Sequence, residues 1–302
     1  MLVLIDEHYF ITIKKTNDIL MKIAILLTTF NRKQKTLSCL RNLNRQKLPS
    51  NAQADIFITD DNSSDGTAEA VAFHFPEVHL LKGTGSLFWA GGMRNSWNAA
   101  LQGNYDYYLL LNDDTLLKDN ALNTMLQYNM QAIADNRLPA ICVGSTCDNE
   151  GNITYGGKAL TSKYSLQGKF IFSDDEFKPC DLGNANIMLV PALAVKRIGI
   201  LSSAFTHGIA DYDYTLKAKK AGIEVLVAPG FLGTCIHDHD KNWKSTKVRL
   251  KERIAFLKSP KGLAYSEYLG FIRYHFPFSY PVAFSKLWLK TLFPVLWDTF
   301  KK

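Results

Sequence analysis

Three apolar runs, each ending abruptly in polar residues, organise the first 115 positions of the chain. The first is Lys22-Ile23-Ala24-Ile25-Leu26-Leu27, which passes into Thr28-Thr29-Phe30-Asn31-Arg32. The second is Ile56-Phe57-Ile58-Thr59, ending in Asp60-Asp61-Asn62-Ser63-Ser64-Asp65-Gly66-Thr67. The third, Tyr107-Tyr108-Leu109-Leu110-Leu111, ends in Asn112-Asp113-Asp114-Thr115. Continuous apolar runs of this length suit strands buried on both faces of a parallel sheet. Between them, Leu37, Leu40, Leu43 and Leu48 have the spacing of a helix face, and residues 67–74 form a second helical segment. Asn-Asp-Asp-Thr is also good turn and capping chemistry, which predicts a further helix starting near Leu116. Strands alternating with helices predict an α/β fold, a doubly wound parallel sheet. Ligands of such sheets gather at strand C-terminal ends, which places Thr28, Asp60 and Asp114 along one crevice. Adjacent carboxylates there can hold a hard divalent cation, and the cation in turn a diphosphate.

Further motifs follow in order: Gly91-Gly92-Met93-Arg94-Asn95, then Asp211-Tyr212-Asp213-Tyr214, then Leu216-Lys217-Ala218 and Ala221-Gly222. Together with the three strand ends they resemble the inverting nucleotide-sugar glycosyltransferases of family 2. These have the GT-A fold, and the likeness is to the bacterial rhamnosyl- and galactofuranosyl-transferase-like members. The resemblance covers roughly residues 22–240, and each motif is weak alone but strong in register with the others.

The resemblance implies a donor site for a UDP- or dTDP-sugar and a bound Mn2+ or Mg2+. Asp114 occupies the second acidic position of the family's Asp-x-Asp metal motif, and Asn112 replaces the first. Asp113 is expected on the donor ribose, or on the metal through water. A histidine after a later strand completes the family's metal site. His237 is the expected ligand, with His239 two positions on able to share its strand face. Asp60 matches the aspartate that binds a uracil or thymine base, with Thr28 and Phe30 lining the same pocket. Arg94 matches an arginine on the diphosphate, and Trp89 in the Gly-rich stretch 83–92 is expected to pack against a sugar on the acceptor side. Asp211 matches the catalytic base of the Glu-Asp-x-Asp segment that opens a helix in the family, and Asp213 the carboxylate two positions on, expected to position the acceptor or the helix. Ala210 departs from the family's first acid.

The 302 residues suit one large α/β domain with an appendage, and their 47% hydrophobic content is that of a globular protein. We divide them into an N-terminal extension (1–21), a catalytic domain (22–240) and a basic amphipathic helical region (241–302). The extension lacks the layout of a signal peptide and reads as an extra strand or as an early start codon. No apolar run approaches the length of a membrane span. The five cysteines show no CxxC pair and lie mostly among apolar neighbours, as buried free thiols of a reducing cytoplasm would.

Charge is uneven. Residues 241–302 carry 13 Lys/Arg against Glu252, Glu267 and Asp298, a balance of +10, so the first 240 residues hold −3 of the overall +7. A basic segment calls for an anionic partner. Here Phe271, Tyr274, Phe276, Phe278, Tyr280, Phe284, Trp288, Phe293, Trp297 and Phe300 are interleaved with Arg273, Lys286, Lys290, Lys301 and Lys302. That mixture, broken by Pro277, Pro281 and Pro294, points to an anionic membrane surface, with aromatics that merely cover the domain as the alternative. No nucleic-acid motif accompanies the charge. The expected protein is a metal-dependent glycosyltransferase, cytoplasmic and peripheral on the inner face of the membrane, serving a glycan or lipid-linked acceptor. A nucleotidyltransferase would need a Gly-rich basic loop after the first strand, where Thr28-Thr29-Phe30-Asn31 stands. A non-catalytic partner retaining the fold can point to Asn112 and Ala210.

Overall fold

The structure, a computed structural model, describes residues 20–236 and 248–295. Its first half alternates as the apolar runs predict: β1 (Met21–Thr29), α1 (Lys33–Leu43), β2 (Ala52–Asp60), α2 (Thr67–His74), β3 (His79–Lys82), α3 (Phe88–Ala100) and β4 (Tyr107–Leu111). A short strand β5 (Leu116–Leu117) comes next, then α4 (Ala121–Ala134) and β6 (Ile141–Cys147). Small strands follow: β7 (Ile153–Tyr155), β8 (Gly157–Leu160), β9 (Gly168–Phe170), β10 (Lys178–Pro179) and β11 (Leu182–Gly183). The sheet is completed by β12 (Ile187–Pro191), α5 (Ala192–Ile198), α6 (Ala210–Lys220) and β13 (Val225–Thr234). The basic segment forms α7 (Leu250–Lys258), α8 (Tyr265–His275), a 3-10 turn at Pro277–Ser279 and α9 (Tyr280–Leu292).

The main sheet runs β10-β13-β6-β12-β4-β1-β2-β3. β1 is parallel to both β2 and β4, β2 to β3, and β13 to β6, while β12 runs antiparallel between β4 and β6. Strand periodicity sorts the apolar runs into two cores. Ile23, Ile25 and Leu27 of β1, with Tyr107, Leu109 and Leu111 of β4, face Leu37, Leu40, Val71 and Met125 of α1, α2 and α4. Ala24, Leu26, Tyr108 and Leu110 face the opposite way, onto Met93 and Trp97 of α3 and Tyr214 of α6. The result is a mostly parallel central sheet flanked by helices.

Two expectations need correcting. No helix starts near Leu116: Leu116 and Leu117 pair with Thr234 and Gly233 of β13, and the helix begins at Ala121 after Asn120. A pairing partner distant in sequence overrides the local capping signal. The aromatic C-terminal segment is also less uniform than its composition suggests. Phe271, Ile272, Phe276 and Leu287 are buried in the same core as Trp97 and Tyr214. Phe278 is 81% exposed, and Val282, Leu289, Leu292 and Phe293 of α9 and its end are exposed with it. α9 therefore turns Ala283, Leu287 and Thr291 inward and a second apolar stripe outward. Among the described residues no helix is long and apolar enough to cross a membrane.

Candidate functional site

Adjacent parallel strands bring the C-terminal ends of β2, β1 and β4 to one edge, so Asp60, Thr28 and Asp114 share it as the sequence predicts. The loops there are latched to each other. Asn31 donates its backbone N–H to Ser63 Oγ at 2.8 Å, and its Oδ1 accepts from Ser64 N at 2.8 Å. Asp65 Oδ2 accepts from Lys33 N at 3.0 Å.

Asp60 is 4% exposed. Its Oδ2 accepts from Ser63 N at 2.9 Å, while Oδ1 is buried with no partner. A buried carboxylate oxygen left bare is costly and marks a position where a donor is missing. The neighbouring Asp61, to which the sequence reading assigned no role, has a clear one. Its Oδ1 accepts from Gly85 N (2.7 Å), and its Oδ2 from Leu87 N (2.9 Å) and Phe88 N (3.1 Å). It thereby shapes the glycine loop and the start of α3. Thr28 is covered by the same helix, and Gly92 is where the two touch: a Cβ there would stand 2.0 Å from Thr28 Oγ1. Phe30 is 39% exposed, with Lys261 Nζ from the C-terminal segment 5.3 Å above its ring.

The two carboxylates after β4 diverge. Asp113 is buried and turns toward α1, accepting from Thr36 Oγ1 at 3.3 Å and from Arg32 Nη1 at 3.2 Å. Burial pushes its carboxyl up despite the arginine. The position expected on the donor ribose is thus spent on holding α1. Asp114 remains at the crevice, its Oδ2 2.7 Å from Arg32 Nη1 and 3.9 Å from Lys35 Nζ. Its Oδ1 accepts from the Cys235 thiol at 3.6 Å, and burial pushes that thiol up to about 12. Trp89 donates its indole N–H to Asn112 Oδ1 at 2.8 Å, so the residue standing in for the motif's first acid is already engaged.

Whether the site suits a divalent cation rests on its donor set. One carboxylate at the crevice, backed by a second, suits a hard cation that draws its other ligands from phosphate and water. Among the described residues no group of three His, Cys, Asp or Glu forms a complete cage. His237 and His239 lie outside the described residues.

Arg94, expected on the diphosphate, is anchored to a neighbouring loop. Its Nη1 donates to Ser202 O (2.8 Å) and Phe205 O (2.7 Å), committing the side chain to the loop ahead of α6. Glu267 of α8 holds the same loop from the other side, accepting from Thr206 N (2.9 Å) and Thr206 Oγ1 (2.6 Å). Thr206 O in turn accepts from Ala90 N.

Asp211 opens α6. Its Oδ2 accepts from Ala185 N (3.2 Å) and Asn184 Nδ2 (3.3 Å), and its Oδ1 from Tyr212 N (2.8 Å). Burial pushes its carboxyl up, opposed by those three donors. Asp213, expected to position the acceptor or the helix, holds helices. It is 2% exposed, 2.8 Å from His275 Nε2 of α8 and 2.7 Å from Lys217 Nζ, and it clamps the C-terminal helices to α6. Two residues along a helix turn through about 200°, so Asp211 and Asp213 must face opposite sides.

Residues 24–167 match the family profile described as Glycosyl transferase family 2. No curated protein matches the chain. Among solved structures, S. aureus TarS 1-349 in complex with UDP-GlcNAc superposes with a TM-score of 0.53 at 15% identity, covering 90% of this chain and 80% of that one. The mannosyltransferase PcManGT from Pyrobaculum calidifontis, in complex with GDP-Man and Mn2+, gives 0.51 at 14% identity. That match covers 77% of this chain, which spans only 59% of the mannosyltransferase.

Proposed function

We propose that this chain, whose residues 24–167 match the family 2 glycosyltransferase profile, transfers a sugar from a UDP- or dTDP-sugar to a glycan hydroxyl with inversion. The observation that carries the donor class is the bare, buried Oδ1 of Asp60. Uracil and thymine share an imide N–H, the donor that this oxygen lacks. Thr28 and Phe30 line the same edge and are proposed to enclose the base.

A divalent cation at Asp114, Mn2+ or Mg2+, supplies positive charge to the departing nucleoside diphosphate when bound. His237 is proposed as its second protein ligand. Asp113 is proposed to support this role indirectly by holding α1 through Thr36. Arg94 is proposed to position the loop ahead of α6 in place of the diphosphate contact first expected of it.

Asp211 is the proposed base. It takes the proton of the acceptor hydroxyl while that oxygen attacks the anomeric carbon from the face opposite the diphosphate. The C–O bond to the leaving phosphate breaks as the glycosidic bond forms, and the diphosphate departs with the electron pair. The N–H donors of Ala185 and Tyr212 hold the carboxylate in place, and its raised affinity for a proton suits a base. Trp89, hydrogen-bonded to Asn112, is proposed to floor the sugar site.

A lipid-linked acceptor is proposed from the C-terminal segment. The outward stripe Val282, Leu289, Leu292 and Phe293, flanked by Lys286 and Lys290, suits a helix lying in an anionic bilayer surface. The protein would then work as a peripheral enzyme on the cytoplasmic face. The division at residue 240 is one of role only, since α8 shares the catalytic core. The test is incubation with UDP- and dTDP-sugars, Mn2+ and membranes containing lipid-linked glycans, following nucleoside diphosphate release. Acceptor-dependent release supports the reading, and no release from any donor would overturn it.

A further inference from the structure

The charge balance around Asp114 is unusual for a carboxylate meant to hold a cation. Arg32 Nη1 sits 2.7 Å from its Oδ2, and Lys35 Nζ 3.9 Å from the same atom. The Cys235 thiol covers Oδ1 at 3.6 Å. Both oxygens are therefore occupied before any metal arrives. Arg32 also reaches Asp113 Oδ1 at 3.2 Å, so two carboxylates face two cations and the group is neutral.

We infer that Arg32 is a displaceable counter-ion, which withholds Asp114 from a divalent cation until a donor diphosphate is present. The inference rests on the proposed donor reading and adds a residue and an order of binding to it. A divalent cation entering alone would leave two uncompensated positive charges beside Arg32 and Lys35. A diphosphate brings the matching negative charge and offers Arg32 a second partner. A guanidinium fork binds phosphate as readily as carboxylate, so Arg32 can exchange Asp114 for the diphosphate without losing an ionic partner. The residue has the freedom to do so. Its side chain is 39% exposed, on the loop between β1 and α1, whereas Asp113 is buried and tied to Thr36. Cation and donor then bind as a pair, each poorly alone. A fixed structural latch would instead keep Arg32 on Asp114 throughout.

The experiment is a titration of the full chain with Mn2+ followed by electron paramagnetic resonance, first without nucleotide and then with UDP and dTDP. Wild type, Arg32→Gln and Asp114→Asn are compared. Removing one partly exposed partner of Asp114 should tighten Mn2+ binding in the absence of nucleotide by about five- to tenfold in Arg32→Gln. The further gain given by UDP or dTDP should shrink in the same variant. Asp114→Asn should bind Mn2+ weakly under every condition. Unchanged or weaker nucleotide-free Mn2+ binding in Arg32→Gln overturns the inference. Should Arg32→Gln fail to fold by circular dichroism, Arg32→Lys takes its place: it keeps the charge but loses the fork, and its nucleotide-free Mn2+ affinity should exceed wild type by a smaller factor. An affinity equal to wild type would then overturn the inference. If wild type binds neither nucleotide, the donor reading fails, and the Mn2+-only comparison still reports whether Arg32 masks Asp114.

Discussion

Gly92 tests the packing that seats Thr28 at the crevice. It lies inside α3, where alanine is ordinarily favoured over glycine by about 1 kcal/mol. A Cβ at this position, however, would stand 2.0 Å from Thr28 Oγ1 and 2.8 Å from Thr28 Cβ. Turning the hydroxyl away relieves only the first contact, because the second involves an atom fixed by β1 and its pairing to β2. Ordinary contact begins near 3.4 Å against the 2.8 Å left, so helix and strand must part by about 0.6 Å. Overpacking of this kind costs ~1–3 kcal/mol against a helical gain of about 1 kcal/mol, and with the backbone-fixed Cβ of Thr28 in the way Gly92→Ala should be net destabilised by up to ~2 kcal/mol. Gly270 supplies the control. It too lies inside a helix, α8, with nothing within 4 Å of its added Cβ, so Gly270→Ala should gain ~0.5–1 kcal/mol. Urea denaturation at unchanged slope reads both. Because Thr28 is displaced with the helix, Gly92→Ala should also weaken UDP or dTDP binding. A Gly92→Ala protein as stable as wild type would refute the reasoning, since propensity would then have won over the contact.

Three further outcomes follow from the site. Asp211→Asn should lower turnover by about 10²–10⁴-fold and abolish the acid limb of the kcat/KM profile, read as product formation against pH. Burial raises the folded-state pKa of Asp211, so its contribution to stability is full below the unfolded value and is lost as pH climbs through the folded one. The same variant should therefore keep or gain stability at neutral pH, and a loss there would contradict the sign. His275→Ala leaves Asp213 buried with Lys217 alone and should cost ~1–3 kcal/mol in urea denaturation without moving the acceptor KM. A KM effect at retained stability would return Asp213 to the acceptor side. Leu289→Asp with Phe293→Asp should reduce co-sedimentation with phosphatidylglycerol vesicles at least tenfold, each lost apolar side chain being worth ~1.5–3 kcal/mol; retained binding would show that α9 does not face the bilayer.

The strands and their acidic ends were legible because buried parallel strands leave continuous apolar runs, and a run's end marks the sheet edge. Asp60, Thr28 and Asp114 share that edge for this reason, which required only strand order. Side-chain direction was not legible. Asp113 and Asp114 are adjacent yet diverge, because Thr36 on α1 supplies a buried partner for Asp113 alone. Asp213 went to the C-terminal helix because His275, 62 residues on, arrives to meet it. Leu116 and Leu117 became a strand because β13 needed a partner. Each is a contact between segments distant in sequence, where local propensity has no say. The paired Asp60-Asp61 was the one available signal for the loop-organising role of Asp61: two adjacent carboxylates at a strand end cannot both face the ligand.

Calorimetric titration of UDP and dTDP in the presence of Mn2+, on wild type and Asp60→Ala, addresses the donor site most directly. Binding of one nucleotide by wild type, weakened at least tenfold when the bare Oδ1 is removed, is the predicted result, a pairing of N–H with buried carboxylate being worth ~1.5–3 kcal/mol. Failure of both nucleotides to bind wild type, or equal binding by Asp60→Ala, would contradict it.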